Sequence, residues 1–409
     1  MDSNDLGITR PILHVIGAGQ WQIPTIRRAQ SMGCRVLVSD GYAERPGYAV
    51  ADLHAQADIT DPEATLAVSR RFGVQGVLCD TTDNGVVTAA HVAQSLGLPG
   101  IGMAAARNCT DKSRMTVCAA AAHLPVPQSR LIEHENGLEE TLRTMDLPLV
   151  FKPVDNQSGR GVTVVRDAEG IHLAYTAARA QSRCGQVLVQ AFIEGVEIIV
   201  DALVDDGHAL LLGVAVKQPY RDNPTISSRI CYGLPLPALE SDITDAHQTL
   251  VGALGVRQGI VHAEYIVSFG RIIPIDFAAR GGGVMIYPRV LSHVSAHDVM
   301  GSVIRQALGC RPAFDPPPAR RAAVIDFLRL SPGPVEQIEG IAEARLIPGV
   351  AEVCFNVKPG ETLASLEHKD HRLGFLVVLT EDVEKAGQIA EQARQCIRIR
   401  RYGQWLTAH

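Results

Sequence analysis

The sequence predicts an α/β architecture in its first quarter that passes into α+β architecture over the remainder. Three observations lead there. Short apolar runs alternate with helical stretches over residues 11–102, apolar runs then crowd together up to about residue 310, and a Pro-rich joint, Asp315-Pro316-Pro317-Pro318, sets off a last mixed segment. Alternating strand and helix marks a parallel sheet with helical crossovers, whereas closely spaced strands imply antiparallel pairing.

In the first part, Ile12-Leu13-His14-Val15-Ile16, Arg35-Val36-Leu37-Val38-Ser39 and Gly76-Val77-Leu78-Cys79-Asp80 are predicted as parallel strands. Segments 22–32, 61–72 and 84–97 are the intervening helices, and Leu98-Pro99-Gly100 breaks the pattern ahead of a domain boundary near residue 105. A helix with Lys112 near its start leads to Leu124-Pro125-Val126-Pro127. Strands are predicted at 148–153, 161–166, 186–193, 197–204 and 209–216, then a helix at 243–255 and strands at 259–267 and 271–277. The last part reads strand 322–329, helix 334–345, strand 351–357, a polar loop, strand 373–380 and helix 382–398. A chain of 409 residues is too long for one simple core, and the division predicted is 1–105, 106–315 and 316–409.

Composition narrows the class of function. The chain is 46% hydrophobic and 20% charged with a formal net charge of −6, and its Arg residues form no long basic run, which argues against nucleic acid as a partner. No apolar stretch reaches the roughly 18 residues that a membrane span requires. Met1-Asp2-Ser3-Asn4-Asp5 is acidic and polar, the reverse of a signal peptide's basic start. Nine Cys with no C-x-x-C pair read as free thiols in a reducing compartment. The expectation is a cytoplasmic enzyme.

Several segments carry chemistry. Phe151-Lys152-Pro153 places a Lys at the end of an apolar run, and Gln157-Ser158-Gly159-Arg160-Gly161-Val162 follows; together they offer a cation and unobstructed backbone N–H groups to phosphate oxygens. The chain has 6 Lys against 32 Arg, and only Lys112, Lys152 and Lys217 precede residue 301. Where Arg is the default base, an isolated Lys suggests a need for a compact point charge. A hairpin turn beside a surface Lys is the plain alternative. The strand 187–197 kinks at Glu194-Gly195, which can expose backbone groups to an adenine edge and present Glu197 to ribose hydroxyls; a simple hairpin with exposed acids is the competing reading.

His262-Ala263-Glu264-Tyr265 and Ile275-Asp276-Phe277-Ala278-Ala279-Arg280-Gly281-Gly282-Gly283 fall on the last two strands of the middle part. Two carboxylates on adjacent antiparallel strands can face each other and share Mg²⁺, and the alternative is an Asp–Arg structural pair beside a glycine turn. Gly17-Ala18-Gly19-Gln20-Trp21-Gln22, with Asp40 after the second strand, invites a dinucleotide reading. Gln22 stands at the third glycine position, so a tight turn at a strand's carboxyl end, touching substrate, is preferred.

In order and spacing, Lys112, Lys152 with its glycine loop, the 190–197 hinge, Glu264 and Asp276-x-x-x-Arg280 resemble the ATP-grasp superfamily over most of the chain. Arg372-Leu373-Gly374-Phe375 and the following helix resemble the C-terminal region of ATP-grasp L-amino acid ligases. The resemblance implies an ATP-grasp fold with a Rossmann-like domain before it, a C-terminal α+β domain after it, and a lid at about 120–187. It implies ATP as nucleotide, with Lys112, Lys152, Ser158, Gly159 and Gly161 on the phosphates, Gln190, Ala191 and Ile193 around adenine, and Glu197 on ribose. Glu264 and Asp276 would hold Mg²⁺, for which Mn²⁺ is the alternative. Arg280, Lys152 and Lys217 would be the catalytic cations, Arg280 holding the substrate carboxylate or the developing tetrahedral intermediate.

The implied activity is an ADP-forming carboxylate–amine ligation through an acylphosphate, on a small-molecule acid and an amine, most plainly amino acids. Bicarbonate or formate activation and a non-catalytic nucleotide-binding regulator are the alternatives. A homodimer is the expectation carried over from relatives. Two positions depart from the pattern: Ala278 replaces the Asn common as a third metal ligand, and Ser228-Arg229-Ile230-Cys231-Tyr232-Gly233-Leu234-Pro235 stands where many relatives carry Glu and Gly-His.

Overall fold

Capping and turn residues set the first domain's helices. Asp61 accepts from the N–H groups of Glu63 and Ala64 at the start of helix Pro62–Phe72, and Gly73 ends it in the left-handed conformation (φ 62°). With helices Ile23–Ser31 and Val86–Leu96 it covers a four-stranded parallel sheet in the order 53–56, 35–40, 12–16, 76–78. The computed structural model describes residues 10–221, 223, 226–312 and 321–408. Residues 1–5 and the proline joint at 315–318 lie outside the described residues.

Past a short helix, Met103–Cys109, and the expected one at Lys112–Ala121, a four-stranded antiparallel sheet takes the order 129–132, 187–191, 149–153, 163–165. Helices Asn136–Thr144 and Ile171–Gln181 accompany it. Leu149, Phe151, Ile171, Tyr175 and Val189 form a core drawn from residues 132–191 alone. This unit is therefore held together by its own apolar contacts.

An eight-stranded sheet organises the rest. Its order is 271–278, 258–268, 196–205, 208–219, 227–232, 322–328, 374–380, 350–355, and every pairing is antiparallel. The middle and last thirds of the chain thus share one continuous sheet, joined where strand 227–232 pairs with strand 322–328. One face carries helix Glu240–Leu254 and helix Lys112–Ala121; the other packs on helix Val299–Ala307 and on Leu13, Val15 and Ile26 of the first domain.

The predicted helix 334–345 is corrected. Gly333–Pro334 pairs with Thr362–Leu363, Gln337–Glu339 is a strand, and only Ile341–Leu346 is helical. Gly340 adopts φ 83° there, and a Cβ on it would stand 1.8 Å from the Cys396 carbonyl oxygen, so the backbone turns where a helix would run straight. The last helix likewise stops at Cys396, and Arg398–Arg401 continues as a strand. Strands Leu53–Gln56 and Ser129–Ile132 are only four residues long, too short to announce themselves by periodicity.

His14, at the centre of the parallel sheet, is fully buried with its ring nitrogens 2.8 Å from the hydroxyls of Ser69 and Ser39. Burial lowers its pKa from 6.5 to about 3. Between those values the unfolded chain takes up a proton that the folded one refuses, so stability is full above pH 6.5 and falls as the pH drops. The slope should approach 1.4 kcal/mol per pH unit, about 2 kcal/mol between pH 6.5 and pH 5. Denaturant melts across that range should show His14→Gln with a shallower acid slope than the wild type; equal slopes would place the loss elsewhere.

Candidate active site

Antiparallel register assembles the centre of the site. Glu264 pairs directly with Asp276 and His262 with Ala278, so alternation puts His262, Glu264, Asp276, Ala278 and Arg280 along one face. That face floors a cleft of about 1160 Å³. Its walls are the turns of the parallel-sheet domain (Gly17 to Gln22, Thr81, Thr82), the loop residues Ser158 and Arg160, and the stretch from Lys369 to Arg372.

Four lysines and three acids meet here. Lys112 lies at the first position of its helix because Asp111 caps it, and its Nζ sits 2.9 Å from Asp276 Oδ1 while donating to the Asn156 carbonyl at 3.0 Å. Lys217 pairs with Glu197 and lies 3.2 Å from Glu264 Oε1. Lys369 reaches the same Glu264 oxygen at 3.6 Å. Lys152, from the buried strand Leu149–Pro153, donates to the Ile275 carbonyl at 3.4 Å. Burial lowers the Lys152 pKa to about 8. Burial would raise Glu264 and Asp276, but the lysines outweigh it: Lys217 and Lys369 hold Glu264 well below the ordinary carboxylate range, and Lys112 brings Asp276 down. Glu197 moves the other way, raised by burial and by the charge of Glu264.

Arg280 is gripped by Asp83, Nε to Oδ1 at 2.9 Å and Nη2 to Oδ2 at 3.1 Å. The glycine loop lies over the cleft: Ser158, Gly159 and Gly161 all have positive φ, and a Cβ at Gly161 would come within 2.9 Å of Gln181 Cβ. Arg160 pairs with Asp370 at 2.6 Å, and the Asp83 N–H donates to Gln157 Oε1 at 3.2 Å. Gln190 is buried within its sheet, donating to Ser129 Oγ at 2.9 Å, while Ala191 and Ile193 are partly exposed at the strand's end. The hinge at Glu194-Gly195 has a steric cause, since a Cβ on Gly195 would lie 2.4 Å from the Val267 carbonyl oxygen.

Residues 145–287, which include Lys152, Glu197, Lys217, Glu264, Asp276 and Arg280, match the family model of the ATP-grasp domain. The chain carries an ATP-grasp domain. Residues 326–401 match the model of the L-amino acid ligase C-terminal domain 2. Among solved structures, the L-amino acid ligase from Bacillus licheniformis superposes with a TM-score of 0.82 at 20% identity, covering 96% of this chain and 99% of that one, a likeness of fold. An uncharacterized protein of Sinorhizobium fredii is 23% identical over 84% of this chain and 72% of its own length. A formate-dependent phosphoribosylglycinamide formyltransferase of Synechococcus is 30% identical over 44% of this chain, which spans about half that relative's length (47%).

The structure of this ATP-grasp chain sets Lys217, Glu197, Glu264, Asp276 and Arg280 on one face, brings Lys112 and Lys152 to them from a helix start and from the four-stranded sheet, and leaves Gln190 enclosed in that sheet. Four participants escaped the sequence reading. Asp83 was hidden because it sits 197 residues from Arg280. Lys369 and Asp370 lay in what read as a polar loop, although the rarity of Lys could have singled out Lys369. Asp201, fully buried, lies 2.7 Å from His262 Nδ1 and accepts from Tyr232 Oη at 2.6 Å, fixing His262 in the cleft floor.

The side chain of Lys217 is 4% exposed between two acids. Removing one partner of a buried charge cluster typically costs about 3–5 kcal/mol. Lys217→Met should lower the melting temperature accordingly, and adding Glu197→Gln should restore part of the loss by removing one stranded carboxylate. No recovery in the double variant would separate Lys217 from Glu197 energetically.

Proposed function

We propose that this ATP-grasp chain is an ATP-dependent carboxylate–amine ligase that forms an amide bond and releases ADP and phosphate, with amino acids as substrates. The observation that carries the reading is the convergence of Lys112 and Lys152 on a cleft floor lined by Lys217, Glu264, Asp276 and Arg280. Such an array neutralises and positions phosphoryl oxygens, which is most of what phosphoryl transfer asks of a protein.

ATP would lie between the four-stranded unit and the large sheet, its phosphates against Lys112 and Lys152 and under Ser158, Gly159 and Gly161. Ala191, Ile193 and Glu197 would line the adenosine end, with Gln190 enclosed in the sheet behind them. Glu264 and Asp276 present carboxylate oxygens at directly paired positions and suit Mg²⁺, while Ala278 offers no donor, so phosphate oxygens and water would complete the shell. When bound, the metal neutralises phosphate charge.

Arg280, held rigid by Asp83, would orient the substrate carboxylate for attack on the γ-phosphorus, forming the O–P bond of an acylphosphate as the bond to ADP breaks. The amine nitrogen then attacks the acyl carbon, phosphate leaves with the bonding electron pair, and the nitrogen gives up a proton. Arg280 would stabilise the oxyanion of that step. The self-contained core of residues 132–191 lets that unit close as a body, and the Arg160–Asp370 and Lys112–Asn156 contacts are those of a closed loop that keeps water from the acylphosphate. Formate or bicarbonate activation is the competing reading, favoured by the 30% identity to the formyltransferase.

The test is Mg²⁺-dependent release of ADP and phosphate across amino acids, alone and in pairs, with and without bicarbonate or formate. Release that needs an acid–amine pair is expected; release tied to bicarbonate or formate would replace the ligase reading. Lys152→Ala should lower turnover by on the order of 10²–10³ while the protein remains folded, as loss of one charge-stabilising donor does. Near-normal turnover would remove Lys152 from the chemistry.

A further inference from the structure

If both substrates are amino acids, one carboxyl group is consumed in the amide and the other stays ionised, so it needs a cation of its own. Four guanidinium groups line the cleft, and they differ in availability: Arg45 is paired with Asp40 and Arg160 with Asp370. Arg280 is already engaged through Nε and Nη2 with Asp83 and through Nη1 with the Gly281 carbonyl at 2.9 Å. Arg372 is 5% exposed, lines the cleft, and donates from Nη2 to the Ser227 carbonyl at 2.7 Å, while its Nε has no hydrogen-bond partner among the described residues. A buried N–H without an acceptor is costly, and an incoming anion removes that cost.

Arg372 also begins a row of aromatic rings. Its guanidinium lies 3.5 Å from the centre of the Phe327 ring, Phe327 and Phe375 are 6.4 Å apart between centroids, and Phe375 and Trp21 are 6.2 Å apart. Trp21, Phe327 and Phe375 all border the cleft, together with Ile230 and Ile286. Trp21 belongs to the turn after the first strand, whose place at a strand's carboxyl end suits contact with substrate. Ser227 and Ile230 belong to one strand, Ser227–Tyr232. A ribose phosphate would satisfy Arg372 but give the rings no apolar partner. An α-amino acid matches both features.

We propose that Arg372 and the Trp21–Phe375–Phe327 row form the subsite of the amine substrate, and that this substrate is an α-amino acid with a large apolar or aromatic side chain. The proposal rests on the ligase reading above. The α-carboxylate meets the Arg372 guanidinium, the side chain lies against Trp21 at the accessible end of the row, whose Phe327 and Phe375 rings are enclosed behind it, and the amino group faces the Arg280 end of the cleft.

Equilibrium binding by calorimetry, with Mg²⁺ and a non-hydrolysable ATP analogue present, tests it directly. The probes are L-phenylalanine, L-leucine, glycine, L-phenylalaninamide and ribose 5-phosphate. Phenylalanine or leucine should bind at least about tenfold tighter than glycine, the scale set by burying one apolar side chain. Phenylalaninamide, lacking the carboxylate, should lose a comparable factor. Trp21→Ala should bring the larger amino acids toward glycine, and Trp21→Phe, which keeps a ring, should retain the preference. Equal affinity for all three amino acids in the wild type, or tightest binding of ribose 5-phosphate, overturns the proposal, as does an unchanged ratio in a Trp21→Ala variant that melts like the wild type. Parallel ADP measurements separate the two readings. Selective binding without ADP release under any pairing upholds the subsite and removes the ligase reading. Pair-dependent ADP release indifferent to side-chain size upholds the ligase and overturns the subsite.

Discussion

The mutual neutralisation of acids and lysines on the floor of the cleft is the constraint around which this ATP-grasp chain is arranged. Glu264 and Asp276 face each other across two strands, a placement that repulsion would oppose if nothing compensated it. Lys112 and Lys217 supply the compensation from opposite sides, one from a helix start and the other from a strand two places along the sheet from that of Glu264, and Lys369 adds a third charge from the last part of the chain. Each ion pair therefore ties a different element to the same floor. A triphosphate and its metal would redistribute these pairs rather than enter neutral space, since phosphate oxygens can take over the lysines as Mg²⁺ takes over the carboxylates.

Continuity of the large sheet decides how the other walls reach that floor. Because strand 227–232 pairs with strand 322–328, the last third of the chain is hydrogen-bonded to the middle third, and Lys369, Asp370 and Arg372 arrive at the cleft from a fixed direction. The four-stranded unit of residues 129–191 is built differently. It keeps its own core, and its bonds to the cleft, Arg160 to Asp370 and Lys112 to the Asn156 carbonyl, are polar and local. A rigid floor with a separately packed cover is suited to chemistry that must exclude water and then release products.

The parallel-sheet domain contributes to the cleft in two ways. Asp83 holds Arg280 in a fork of two hydrogen bonds, which fixes the direction of a side chain that would otherwise sweep a wide arc. The turn carrying Trp21 sets an aromatic ring against Phe375, so the same domain bounds the cleft with an apolar surface close to Arg372. Neither role depends on a dinucleotide fingerprint, and the Gln22 that spoils that fingerprint instead accepts from the Gly19 N–H at 2.9 Å to shape the turn.

What the sequence by itself determined is what short-range pattern can encode. Alternating apolar runs marked the first parallel strands, the pairing of Glu264 with Asp276 followed from two adjacent strands of the right parity, and Lys152 stood out because Lys is rare here. Short edge strands such as Leu53–Gln56 gave no such signal, and the helix predicted at 334–345 failed because Gly340 turns the chain against Cys396, a contact that only the fold creates. The partners that finish the site were also beyond the sequence. Asp83 is 197 residues from Arg280, Arg160 is 210 from Asp370, and Arg372 reaches the carbonyl of Ser227 from 145 residues away. Periodicity and composition act over one element, whereas such charge pairs form only when separate elements are packed, so tertiary structure alone decided which cations are spent and which remain for a ligand.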